Sequence, residues 1–292
     1  MILKNTPPEG FLESEKKDGY EVSSDMKRVW AVEIDLMQQL LGVCAKHGLK
    51  IYADGGTLIG AMRHGGFIPW DDDIDMVMLR EDYDKLCAVA PSEFSEPYFL
   101  QTIYTDVHYG NRHAQLRNST TACWSAKSER PDRMFNQGIF IDIFVMDGMP
   151  CNPHDLDKHY KKIRSAKNRL KITSKVLAKL PECVYRYCRE HTTWLSDKKL
   201  YERYENILRS VPAEKSMLVC KISLRHNHFF KTTRSLGTPR MVPFEYTEIP
   251  VPEDYDELLT MQFGDCRTPT QSPTYHGKQK YNTEVSYKDL MK

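Results

Sequence analysis

The sequence predicts an α+β fold, a mixed β-sheet core flanked by helices with a helical segment appended. Three observations predict it. Residues 24–48 repeat apolar side chains at helical spacing, and short strand-like runs broken by glycine and proline follow. Ile139 to Val145 is apolar on both faces, as a central strand has to be. From Pro153 the pattern turns basic and helical, and further helices follow to Leu208.

Met1 to Tyr20 holds Pro7-Pro8, Gly10 and Gly19 and reads as an extended arm. A helix follows from Ser24, with Met26, Val29, Trp30, Ile34, Met37, Leu40, Leu41 and Cys44 on one stripe, Ser24 as its cap and Gly48 as its stop. Leu49 to Asp54 reads as a strand that Gly55-Gly56 breaks, and Thr57 as the cap of a short helix through Met62. Ile74 to Met78 reads as a strand, and Glu81 to Ala90 as a helix ended by Pro91. Strands are expected at residues 98–103, 108–116 and 120–124, then a loop to Gln137 and the strand 139–145, with Asp147-Gly148 as a turn. Helices are expected around 158–180, 184–190 and 196–208. A hairpin over 242–252 and a helix over 255–264 complete the order.

Composition narrows the class. Hydrophobic residues make up 40% and charged residues 28% of the 292, as in a globular protein with a core. A net charge of +1 gives no global attraction to nucleic acid or anionic lipid. No signal-peptide pattern and no membrane-length apolar run appears. The eight cysteines form no C-x-x-C pair, which speaks against structural zinc and for reduced thiols in a cytoplasmic protein.

Chemistry concentrates between Ile51 and Asp75. Glycines let a ligand approach the backbone, and free amides at a helix start point at an anion; Gly55-Gly56-Thr57 also suits an ordinary strand-to-helix turn. Pro69-Trp70 leads into Asp71-Asp72-Asp73-Ile74-Asp75. In a strand Asp73 and Asp75 share a face, where they repel unless a cation lies between them. Hard cations such as magnesium take carboxylates of this kind together with substrate phosphates. Asp142, alone in the apolar 139–145 run, is the third carboxylate; its alternative is a bond to a backbone amide or to Arg117. Arg63 and His64 stand after the short helix, either on a donor phosphate or as cations favoured at a helix end. Arg112, His113 and Arg117 meet a phosphate, partner the acidic cluster or are surface charges. Arg225, His226 and His228 lack the carboxylates or cysteines of a metal site. Between Lys158 and Leu180 nine lysines and arginines occur without an acid, a solvated face or a patch for an anionic surface.

Gly55 to His64 followed by Gly66 to Asp75 closely resembles the signature of the LicD family, to which the fukutin-related proteins are similar. The likeness continues through Gly138–Gly148, Ile249–Leu259 and Phe263-Gly264-Asp265. It implies a nucleotidyltransferase-like fold: an N-terminal arm over 1–23, a catalytic core over 24–150, a helical segment over 151–235, and a C-terminal segment over 236–292 packing back on the core. It implies a metal-dependent phosphotransferase that moves a phosphoalcohol group, phosphocholine first, from a CDP-linked donor to a sugar hydroxyl of a cell-surface polysaccharide or glycolipid, releasing CMP. Asp73 and Asp75 would hold Mg2+ (or Mn2+), with Asp142 completing the site or accepting the hydroxyl proton. Gly55, Gly56, Thr57, Arg63 and His64 would bind the donor. The implied partners are CDP-choline and a sugar acceptor, lipid-linked in one version, with no nucleic acid and peripheral contact with the inner membrane face through the basic 158–180 segment. Two alternatives remain: a nucleotidyltransferase moving a nucleoside monophosphate, and a catalytically silent scaffold of polysaccharide assembly. Choline would need aromatic faces, for which Tyr52, Trp70, Tyr109 and Trp124 are candidates. Cys266 departs from the family pattern, where an aromatic residue is more usual, and His276 is the one histidine of the tail.

Overall fold

The computed structural model describes residues 2–131, 133–221, 230–265, 268 and 279–292. Arg225, His226, His228, Cys266 and His276 lie outside the described residues. In chain order the elements are β1 (Glu15–Lys17), β2 (Tyr20–Val22), α1 (Ser24–His47), β3 (Tyr52–Ala53), α2 (Gly55–His64), β4 (Asp75–Leu79), α3 (Arg80–Glu93), β5 (Tyr98–Gln101), β6 (Ala114–Asn118), β7 (Ala122–Ser125) and β8 (Ile139–Met149). Then come α4 (Pro153–Leu177), α5 (Glu182–His191), α6 (Asp197–Arg209), β9 (Leu218–Cys220), β10 (Phe230–Thr232), α7 (Thr233–Leu236), β11 (Arg240–Phe244), β12 (Thr247–Val251), α8 (Tyr255–Phe263), β13 (Gln279–Asn282) and α9 (Tyr287–Leu290). Helices and a mixed sheet give the expected α+β class.

The chain divides into two compact units, one of residues 1–78, 82–145 and 235–292, the other of residues 79–81 and 146–234. In the first, the strand order β3-β4-β8-β6-β5 places β8 centrally, as its doubly apolar sequence requires. Leu116 pairs with Ile141 and Gln115 with Asp142 in the β6–β8 ladder. Helix α1 lays Trp30, Ile34, Met37 and Leu40 into the core with Met76, Met78, Ile141 and Ile143. Its cap is Ser23, which accepts from the Met26 amide, one residue before the expected Ser24. Gly48 ends it in the left-handed conformation at φ 63°. The first twenty residues are not simply extended: Asp18 and Gly19, both at positive φ, turn β1 back onto β2, and Phe11 packs edge-on against Tyr246 at 4.6 Å. Helix α3 runs past Pro91, which sits in its final turn and removes one amide donor there without ending it.

In the second unit, α4 runs along α6, with Ile163, Leu170 and Leu177 buried beside Leu200, Tyr204 and Leu208. The last residues of β8 pair with β9, Asp147 opposite Cys220, and β9 pairs with β10. Among the described residues no helix is long and apolar enough to cross a membrane.

Candidate functional site

The site is built where β4 and β8 meet the start of α2. Asp75 opens β4: its amide donates to Thr57 Oγ1 at 2.8 Å, and its carbonyl accepts from the Asp54 amide at 3.0 Å. Those two bonds fix the α2 start against the aspartate run. Gly55 and Gly56 are the first two residues of α2, not a break before it, and Asp54 rather than Thr57 occupies the cap position. Gly55 has φ +57°, which favours glycine. A side chain on Gly55 would come within 3.2 Å of Asp75 Oδ2, and one on Gly56 within 2.7 Å of Asp71 Oδ2. The glycines therefore let two carboxylates approach the positive end of the helix, where negative charge is favoured.

The third aspartate comes from the neighbouring strand. The Asp142 amide donates to the Ile74 carbonyl at 2.9 Å, so Asp142 lies across from the residue between Asp73 and Asp75. Asp73 precedes β4 rather than belonging to it, yet the alternation holds, with Asp73 and Asp75 half-buried between buried Asp72, Ile74 and Met76. Asp142 Oδ1 accepts from Gln115 Nε2 at 2.7 Å and lies 3.0 Å from His113 Nε2. Gln115 is itself oriented, because its Oε1 accepts from Arg117 Nη2. Arg117 is buried, donates to Gln101 Oε1 and Gly138 O, and lies over the Phe140 ring at 4.5 Å. Arg117 thus positions the residue that positions Asp142.

Glu33 of α1, three residues after Trp30, is 1% exposed. Burial first, then the negative charges of Asp73, Asp72, Asp71 and Asp142, push its carboxyl well above the usual range. Its Oε2 is buried with no hydrogen-bond partner among the described residues. Trp30 of the same helix donates to the Asp71 carbonyl at 3.0 Å. Tyr281, its hydroxyl pKa raised chiefly by burial, donates to Asp72 Oδ2 at 3.0 Å.

The donor set is all oxygen, it carries excess negative charge, and it includes one orphaned buried carboxyl oxygen, a chemistry that fits a hard divalent cation. Among the described residues no three His, Cys, Asp or Glu side chains stand grouped closely enough to enclose a metal ion as they are.

Residues 48–144 match the family model "LicD/FKTN/FKRP, nucleotidyltransferase domain". This segment is similar to the nucleotidyltransferase domain of the LicD family. The matched segment spans the Gly55–Gly56 helix start, the aspartate run and Asp142 together. The chain is 33% identical to the lipopolysaccharide cholinephosphotransferase LicD of Haemophilus influenzae over 143 residues, 49% of this chain and 52% of that protein. It is 44% identical to the ribitol 5-phosphate transferase FKRP of Homo sapiens over 43 residues, 15% of this chain and 9% of that protein. The chain spans about half the length of the bacterial relative and a small part of the human one.

The other expected donor residues fall at the far end of α2. Arg63 and His64 lie in its last turn, not after it, roughly 12 Å along the axis from Gly55. Arg63 Nε donates to His64 Nε2 at 2.8 Å, and His64 Nδ1 lies 2.7 Å from Asp18 Oδ2. Burial, then the neighbouring Arg63, lowers the His64 pKa. Of the aromatic candidates, the Tyr52 hydroxyl donates to the Gly237 carbonyl and Trp70 stands edge-on to Tyr20. Tyr109 and Trp124 do converge, lining with Gln115, Phe135 and Phe140 a cavity of about 640 Å³. Asp147, read as a turn residue, is instead a buried residue of β8 gripped by Arg80 at 2.7 and 3.2 Å. The Asp-Gly pair suggested a turn, but strand pairing with β9 and a partner 67 residues earlier hold it extended. Sequence reasoning passed over Glu33, Gln115 and Tyr281. Only Glu33 left a signal, an acid inside the apolar stripe of α1.

Proposed function

We propose that this chain transfers a phosphoalcohol group, phosphocholine first, from a CDP-linked donor to a sugar hydroxyl of a cell-surface polysaccharide or glycolipid. The observation that supports the reading is the Asp142–Ile74 backbone bond, which sets Asp142 on the strand beside the Asp73–Asp75 segment and the glycine-opened start of α2. The names of the bacterial and human relatives, a cholinephosphotransferase and a ribitol 5-phosphate transferase, support transfer of a substituted phosphate. The acceptor oxygen bonds to the phosphorus that carries the alcohol, the phosphoanhydride bond to CMP breaks, and the hydroxyl proton is lost to a carboxylate of the acidic edge. Mg2+ or Mn2+ held by Asp73, Asp75 and Asp142 would neutralise charge on the transferring and leaving oxygens.

The remaining work belongs to the chain. Amides at Gly55, Gly56 and Thr57 receive donor phosphate, and Gln115 and His113 keep Asp142 aimed. The cavity beside Gln115 brings together Tyr109, Trp124 and Phe135, aromatic faces that a quaternary ammonium group would need, with Arg117 and Arg133 also in its lining. On α4 the exposed face carries Lys158, Lys161, Lys162, Arg169 and Lys175 around exposed Ile172, a pattern that suits peripheral contact with anionic lipid.

The test is release of CMP from CDP-choline, CDP-ethanolamine and CDP-ribitol in the presence of Mg2+, beside release of pyrophosphate from CTP. CMP release that depends on Mg2+ and is fastest with CDP-choline supports the reading. Pyrophosphate release alone replaces it with nucleotidyl transfer, and neither product leaves a scaffold.

A further inference from the structure

Glu33 has no place in the family signature or in the chemistry above. It stands one turn after Trp30 in the first unit's longest helix, and Trp30 is bonded to the Asp71 carbonyl at 3.0 Å. That contact holds this face of α1 against the aspartate run. The negative charges of Asp73, Asp72, Asp71 and Asp142 all act on Glu33, with Asp73 the strongest of the four. Its Oε2 is fully buried and has no hydrogen-bond partner among the described residues. A buried acid serving only the fold is normally answered by a donor, as Asp35 of the same helix is by Tyr98 at 2.6 Å and by the Asn5 amide at 2.9 Å. Glu33 keeps one buried oxygen unanswered and feels the charge of four aspartates, which costs stability unless a cation offsets it.

We infer that Glu33 is a further carboxylate of the cation site, its unanswered Oε2 acting on the divalent ion from the α1 side while Asp73, Asp75 and Asp142 act from the sheet. The inference rests on the cation dependence proposed above. It explains why an acid occupies a stripe otherwise filled by Trp30, Ile34 and Met37. Glu33 sets the affinity of the site, and the sheet aspartates decide whether there is a site at all.

The experiment is titration of the full chain with Mn2+, followed by isothermal calorimetry and by the electron paramagnetic resonance of free Mn2+. The proteins are the wild type, Glu33→Gln, Glu33→Leu and Asp73→Asn. The expected result is Mn2+ binding by the wild type, binding about 10-fold weaker or worse in both Glu33 variants, and no binding in Asp73→Asn. The Glu33 variants should keep the wild-type circular dichroism spectrum, and Glu33→Leu should melt no lower than wild type without metal. Wild-type affinity in Glu33→Gln, with binding lost in Asp73→Asn, would overturn the Glu33 assignment and leave the cation site standing. No Mn2+ binding by the wild type would overturn both. Should Glu33→Gln fold poorly, Glu33→Leu decides alone, since an apolar side chain of similar volume suits the surrounding core.

Discussion

In the unit built on α4 to α6, buried Asp147 and Glu205 share the guanidinium of Arg80, at 2.7 and 2.9 Å, and Arg209 adds a contact to Glu205 at 3.2 Å. Asp197 is held there by Arg189 at 2.6 Å and by the Tyr185 hydroxyl at 2.8 Å. In the sheet unit, Asp72 meets a tyrosine hydroxyl, Asp142 a glutamine amide and a histidine, and Glu33 leaves an oxygen unanswered. The contrast teaches how to read a buried acid. An arginine fork answers an acid's charge within the chain and fixes the fold, whereas the buried Glu33 oxygen has no such answer among the described residues.

Mutations that invert the contrast should separate the units. The largest effect is expected from Asp73→Asn, a loss of about 10³-fold in the rate of CMP release with the melting temperature held or raised, because one repelling charge goes. Next is Arg80→Met, which strands two buried carboxylates and should cost about 3–5 kcal/mol in urea unfolding. A loss below 1 kcal/mol would mean the arginine fork does not hold this unit together.

Smaller effects sharpen the picture. Gln115→Leu should lower kcat about 10-fold with the KM for donor little changed, since it removes a residue that aims Asp142 rather than one that binds substrate. Equal losses in kcat/KM and in melting temperature would make Gln115 merely structural. His159 of α4 is buried, and burial, with the nearby Lys162, lowers its pKa. The unfolded chain therefore takes up the proton first as pH falls through about 6.5, and stability drops below that pH. His159→Leu should flatten that decline in denaturant midpoints between pH 7 and 5; an unchanged slope would assign it to other groups.

Much of this was legible in the sequence, for reasons that particular residues make clear. The α1 stripe is long enough that its ends were found to within one residue, and the doubly apolar run at 139–145 could only be a central strand. The aspartate run was visible because acids entering an apolar strand are costly. Local signals misled where a distant partner decides. Asp147-Gly148 looks like a turn until Arg80 and β9 are known, and the Gly55–Gly56 pair looks like a break until Asp71 and Asp75 are seen against it. Gln115 was invisible, because a neutral amide in a strand gives no sign that Arg117 will orient it toward a residue 27 positions later. Tyr281 reaches Asp72 from the C-terminal segment, a pairing no spacing could suggest.

The claim that Asp73 and Asp142 act as one unit is tested most directly by the rates of CMP release for Asp73→Asn, Asp142→Asn and the double variant. Groups sharing one role are strongly non-additive. The double variant should be no slower than the slower single variant. Losses that multiply would mean that the two carboxylates work independently and that no shared cation joins them.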